Sequence, residues 1–183
     1  MKSSRYVQGF TLIELIIVVV ILGILAVTAA PKFISLSDDA DLAVIKAQQA
    51  SIKTAINLVY ARTQINKGAS SITTNGVTFN IDASGWPVGS GTGTTMCIDL
   101  WNKLLQDPEP VSAISNPTTA VPVGWHAFGY TGLCIYGKGD GENGFTNSSG
   151  SAVSNLPFFV YFYQDFNQFG YSGTAGEVRA YNL

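Results

Sequence analysis

The chain has 183 residues and a formal net charge of −2, which suits one domain plus an anchor and gives no electrostatic pull toward nucleic acid, since that needs a basic face. Charged residues make up only 12 %, about half the usual share, as expected of an apolar anchor joined to a loop-rich head full of Gly, Ser, Thr and Asn. Two cysteines and one histidine are too few for a metal centre of the zinc type.

Lys2 and Arg5 precede an apolar run and no acid does, so the N-terminus is expected to stay cytoplasmic. From Phe10 to Ala30 only Thr11, Glu14 and Thr28 are polar. As a helix this run spans roughly 30 Å, enough to cross a hydrocarbon core. A secretory signal peptide is the competing reading, and Ala26-Val27-Thr28-Ala29-Ala30 has the small residues of a cleavage site. The run is longer than the usual apolar core of about 7–15 residues, and it continues into a helical pattern. Glu14 also argues against a signal peptide. An unpaired carboxylate in an apolar span is costly and marks function. Its bland alternative is a first-turn residue favoured by the helix dipole.

The residues Gly9-Phe10-Thr11-Leu12-Ile13-Glu14 ahead of that run resemble the processing and methylation motif of type IV pilins and of type II secretion pseudopilins. The resemblance covers residues 1 to about 60. The stretch Ile21 to Ala40 is most similar to the mannose-sensitive haemagglutinin pilin subgroup. The resemblance implies that a prepilin peptidase cuts between Gly9 and Phe10 and methylates the new N-terminus at Phe10. Glu14 matches the family's glutamate, and Pro31 matches the proline that interrupts its long helix. The implied partners are that peptidase, identical subunits in a helical filament, an inner-membrane assembly platform, and the inner membrane before assembly. A free amine at Phe10 is cationic near neutral pH. Glu14 of one subunit is therefore expected to pair with the Phe10 amine of a neighbour. Such a buried pair adds little net stability but is costly to break, so it acts as a register device.

Gly23 and Pro31 bracket the weakest part of the helix, which is expected to kink or to extend on assembly. Beyond it, Asp38, Asp39 and Asp41 come early and Lys46, Lys53 and Arg62 late, an order that complements the helix dipole. Leu42, Ile45, Ile52, Ile56 and Val59 form one apolar face, broken by Gln49. That face is expected to pack on the head's own sheet, and the opposite face, with Lys46 and Lys53, to meet other subunits. Lys67-Gly68 ends the helix. Ala69 to Asn75 reads as a linker, Val77 to Ile81 as a strand and Ser84 to Thr95 as a loop. Ile98 to Leu105 suggests a short helix and Asn116 to Gly124 another loop. Leu133 to Tyr136, Phe158 to Tyr163 and Glu177 to Tyr181 read as strands, the second apolar on both faces and so central. Gly137 to Ser151 reads as a long turn region. Cys97 and Cys134 lie on the oxidising side of the membrane, where a disulfide is expected; two buried thiols are the alternative. In many pilins the bridge lies near the C-terminus, whereas Cys134 stands 49 residues before the end.

Catalysis finds little support. His126, beside Trp125 and Phe128, reads as a packed or surface histidine, and no nucleophile, phosphate-loop or zinc motif occurs. Asp140 and Glu142 are weak calcium candidates in a turn-rich segment, without the glutamate that closes a twelve-residue calcium loop. Tyr161, Tyr163, Phe166, Phe169 and Tyr171 read as sheet core and rim, or as a stacking surface for sugars or subunits. The whole predicts an α+β fold: leader 1–9, transmembrane or filament-core helix half 10–30, amphipathic half 31–66, and a β-rich head 67–183. The helix packs on an antiparallel sheet of about four strands. The implied function is structural, with no enzyme activity and no cofactor. It is that of a major type IV pilus subunit, in the inner membrane as a precursor and then on the cell surface, for adhesion, with surface glycans as a possible target. A secretion pseudopilin, a minor pilin, and an anchored periplasmic enzyme or binding domain are the alternatives.

Overall fold

The computed structural model describes residues 10–146 and 155–183, and of residues 30–38 the backbone alone. The leader with Gly9 lies outside the described residues, as do the Pro31 side chain and the last residues of the expected 137–151 turn. In chain order the elements are α1 (Leu12–Ile65), β1 (Ser71–Thr74), β2 (Val77–Ile81), β3 (Pro87–Val88), α2 (Gly93–Leu104), β4 (Val111–Ala113), β5 (Gly124–Tyr130), β6 (Leu133–Gly139), β7 (Phe158–Phe162), β8 (Phe166–Gln168), β9 (Tyr171–Gly173) and β10 (Val178–Tyr181). The class is α+β, as the sequence predicts. The chain divides into two units after Asp41.

In the first unit, α1 is apolar and exposed from Leu12 to Val27. The helical run is unbroken through Gly23 and Pro31, so any extension on assembly starts from a helix. Thr28 lies in the same stretch and turns its hydroxyl back on the Leu25 carbonyl at 2.9 Å. That bond satisfies a polar group without help from solvent.

The second unit is built on a five-stranded sheet in the order β10-β7-β6-β5-β4. Four of these strands pair antiparallel, and β4 joins the edge parallel to β5. Ile45, Ile52, Ile56 and Val59 of α1 are buried against α2 and one sheet face, together with Leu100, Trp101, Trp125, Tyr136, Phe159 and Tyr161. Leu42 of the predicted stripe is half-buried. The interruption at Gln49 has a cause: its amide Nε2 donates to the Val178 carbonyl of β10 at 3.4 Å. The opposite sheet face carries a second core of Leu133, Ile135, Phe158, Val160 and Phe162, covered by Phe145, Val121 and Tyr171. β7 is therefore buried on both faces, as a central strand should be.

Cys97 of α2 and Cys134 of β6 are joined as a disulfide. A loop with sequence separation 37 loses enough chain entropy when closed to stabilise the head by about 3–4 kcal/mol. Several segments differ from expectation, among them the short strands β4, β8 and β9, which the sequence does not signal. The linker before Asn75 is strand β1, turned back on β2 by Asn75 (φ 51) and Gly76 (φ 80), the Asn-Gly pair that two-residue hairpin turns favour. The expected loop from Ser84 contains β3 and the first turn of α2. β5 has no counterpart in the sequence reading. Its Gly129 is required because a Cβ there would lie 2.2 Å from the backbone of Gly93, at the start of α2.

Candidate functional site

Thr11 precedes the first residue of α1, and Glu14 sits in its first turn. The Thr11 backbone N–H donates to Glu14 Oε2 at 2.9 Å and the Thr11 hydroxyl to the same oxygen at 2.8 Å. The Glu14 N–H returns a bond to Thr11 Oγ1 at 3.3 Å. This is a capping box, in which a Thr and the acid three residues later satisfy each other's backbone donors. Thr11 stands in the Gly9–Glu14 motif without a role of its own, and the Thr-x-x-Glu spacing is the signal in the sequence for this cap. In the single chain Glu14 thus fills the first-turn role that was its bland alternative. Among the described residues all the bonds to its carboxylate fall on Oε2, which leaves Oε1 open to a second donor. Phe10 beside it is 87 % exposed.

The apolar helix Leu12–Ala29 is long and apolar enough to cross a membrane, and the structure buries none of that window. An acid with one open oxygen at the head of such a helix is equipped to accept a cationic donor. Among the described residues, no three His, Cys, Asp or Glu side chains gather as a metal site.

The remaining candidates sit in the head. Asp140 Oδ1 accepts the N–H groups of Glu142 at 2.9 Å and Asn143 at 2.8 Å, and its Oδ2 accepts the Asn143 side-chain amide. Desolvation works to raise the Asp140 carboxyl, but the bonds from Asn143 and Glu142 together hold it below the usual carboxylate range. Asp140 therefore serves a turn of the kind aspartate favours, while Glu142 is exposed. His126 lies on β5, buried, with neither ring nitrogen hydrogen-bonded among the described residues. It is a packed histidine.

Four of the five C-terminal aromatics are buried and one is not. Tyr161, Tyr163 and Tyr171 donate their hydroxyls to the carbonyls of Pro87, Tyr130 and Phe145, at 2.9, 3.0 and 3.0 Å. Burial pushes the Tyr171 hydroxyl up to about 12 and that of Tyr161 well above its ordinary value. Phe169, 67 % exposed, forms the β8–β9 turn at φ 53, a conformation unusual for a bulky residue. It meets Tyr130 edge-on, with ring centroids 5.5 Å apart.

Comparison with known proteins points the same way. The family model for the prokaryotic N-terminal methylation motif matches residues 4–30. Over 90 residues the chain is 32 % identical to the type IV narrow pilus major component PilA5 of Thermus thermophilus, covering 49 % of this chain and 78 % of that one. It is 31 % identical over 96 residues to prepilin peptidase-dependent protein A of Clostridium perfringens, covering 52 % and 67 %. With type II secretion system core protein G of Pseudomonas aeruginosa it shares 43 % identity over 56 residues, covering 31 % of this chain and 39 % of that one. No solved structure matches the chain.

Proposed function

This chain belongs to the type IV pilin family, and from that premise we propose that it is the major structural subunit of a type IV pilus. The precursor waits in the inner membrane, held by the apolar half of α1. A prepilin peptidase removes residues 1–9 after Gly9 and methylates Phe10. An inner-membrane platform then lifts the subunit into a helical filament, whose core is made of residues 10–30 and whose surface is made of heads. The pilus serves adhesion at the cell surface, where the exposed Phe169 and Tyr130 offer a stacking surface to glycans. The protein acts by polymerising, without catalysis or cofactor.

The observation that carries this reading is the N-terminal one. A capped Glu14 keeps one oxygen open at the head of an apolar helix that the chain itself does not bury. After cleavage the Phe10 amine of a neighbour supplies the cation for that oxygen, and the neighbouring helices supply the apolar cover. In this role the pair fixes register between subunits more than it adds stability. Pro31 is the point from which the helix adjusts on assembly.

The match to a secretion core protein supports a second reading, a pseudopilin that forms a short periplasmic fibre. The test is an intact mass of protein sheared from cells. The pilus reading expects a chain that begins at Phe10, carries one added methyl group, and is abundant in the sheared fraction. Processed protein that stays with the cells supports the pseudopilin, and an uncut, membrane-retained chain overturns both.

A further inference from the structure

The charges of the second unit are sorted by location. Among the described residues, the cations without an ion pair are Lys46, Lys53, Arg62 and Lys67, all on α1 or the turn after it. The others are engaged: Lys103 pairs with Asp99 and Arg179 with Glu177, each at 2.8 Å, and Lys138 also has a partner. Lys46 and Lys53 are both exposed. Seven residues apart on a helix, they share a face and stand about 10 Å from each other. That face lies to one side of the buried stripe of Ile45, Ile52 and Ile56.

Four of the five exposed acids of this unit among the described residues gather at one end of the sheet; the fifth, Asp165, follows β7 at the other end. β4 starts at Val111 beside Trp125, and β5 starts at Gly124 opposite Gly139, where β6 ends. Glu109, just before β4, and Asp140 and Glu142, just after β6, therefore flank the start of β5 from its two sides. Adjacent strands lie about 4.8 Å apart, so the two groups of acid stand about 10 Å from each other. Asp107 adds to the same end, and all four residues are exposed. The loops are held in place: Trp101 Nε1 donates to the Glu109 carbonyl at 3.1 Å, and Asp140 is fixed by its own turn. The carboxylates of Glu109 and Glu142 remain available.

We propose that this acidic sheet end docks on the Lys46–Lys53 face of a second copy of the chain. Sign and spacing both match. The two surfaces are different parts of one chain, so the contact is head-to-tail and propagates into an open helical array instead of closing as a dimer. The proposal rests on the polymer reading above and adds which surfaces of the heads meet. Charge complementarity of this kind steers and registers an encounter and weakens with salt.

The test counts filaments sheared from cells that express the full chain. The variants are Lys46→Glu with Lys53→Glu, Glu109→Lys with Glu142→Lys, and all four together. None of the four side chains is buried, so melting of the heads should be unchanged, and that is the folding control. Each pair is expected to lower filament yield about tenfold, and the full swap to restore it to within about twofold, the signature of coupled rather than independent sites. A Lys53→Cys, Glu142→Cys chain should give a ladder of oligomers on oxidation of its filaments. Wild-type yield from either reversed pair, or a full swap as poor as the two losses combined, overturns the docking proposal and leaves the polymer reading standing. Absence of filaments from the wild-type chain would instead defeat the polymer reading. Flotation on phosphatidylglycerol vesicles gives the remaining arm. If Lys46→Glu with Lys53→Glu removes a preference for these vesicles over phosphatidylcholine ones and the full swap restores no filaments, the lysine face serves a membrane and the proposal fails.

Discussion

The two halves of α1 are both rich in Leu, Ile and Val, yet they end in opposite situations. From Leu12 to Val27 the apolar side chains are exposed around the whole helix, whereas Ile45, Ile52, Ile56 and Val59 are buried along a single stripe. A helix that is apolar all round has to be buried by something larger than its own domain, while a striped helix needs only one neighbour. The first half is thus written for a solvent of lipid or other subunits, and the second for a sheet in the same chain. Glu14 sits where the first of these environments begins.

The largest expected effect breaks the first half alone. Glu14→Leu should lower filament yield by at least about tenfold, because under the proposed pairing the Phe10 amine of a neighbour is then buried without a counter-charge. Membrane insertion and head melting should stay unchanged. Counting sheared filaments against total membrane-bound subunit checks this. A normal yield would mean that the open Oε1 has no role in packing.

A matched pair of core truncations comes next. Ile52 is fully buried and Leu22 is 59 % exposed. Ile52→Ala should cost the head about 2–5 kcal/mol through lost transfer energy and an unfilled cavity. Leu22→Ala should move head stability by less than about 0.5 kcal/mol. Urea unfolding monitored by tryptophan fluorescence separates the two. Equal losses would mean that the halves of α1 do not unfold independently.

Legibility in the sequence follows the same division. The long helix, β2, β7, β10 and the Cys97–Cys134 pairing could be read because apolar spacing or a compartment argument decides them locally. β5 could not. Its Gly124, His126 and Gly129 carry weak strand preference, and the reason for Gly129 is a helix that begins 36 residues earlier in the chain. β4, three residues long, forms only because β5 offers an edge for parallel pairing. At the N-terminus, Glu14 stood out by its charge, while its partner Thr11 was hidden by being ordinary. The acidic end of the sheet was also invisible, because Glu109 and Glu142 become neighbours only through β5.

Alkaline pH offers a gentler way to separate the regions, since α1 from Leu12 to Ala29 contains no tyrosine and the head depends on several buried ones. An unfolded tyrosine loses its proton near pH 10. Burial, helped by Tyr181, holds Tyr171 protonated up to about 12. Between those values the unfolded chain binds fewer protons than the folded one, so stability falls as pH rises. The contribution is fully present below pH 10 and is lost through this window. Denaturant titrations at pH 9 and pH 11.5 should show this loss in the head, and Tyr171→Phe should show less of it. Helicity of the apolar half in detergent should be indifferent to the same change. An equal loss in Tyr171→Phe would assign the sensitivity to Tyr136 and Tyr161 instead.

The smallest effect belongs to Gln49, the polar residue in the buried stripe. β10 is the outer strand of the sheet, and an edge strand presents unpaired backbone groups that need covering. Gln49 covers one of them, the Val178 carbonyl, through a long bond of 3.4 Å. Replacing it by Leu loses that bond but lengthens the apolar stripe, and the two changes nearly cancel. The expected net shift is under about 1 kcal/mol. Hydrogen exchange should resolve what melting does not. Arg179 and Tyr181, which pair with Val160 and Phe158 and turn their N–H groups toward β7, should exchange faster in Gln49→Leu as the edge loosens, while β6 keeps its protection. Unchanged exchange along β10 would show that the strand is held by β7 alone, and that the polar interruption in the stripe is tolerated instead of used.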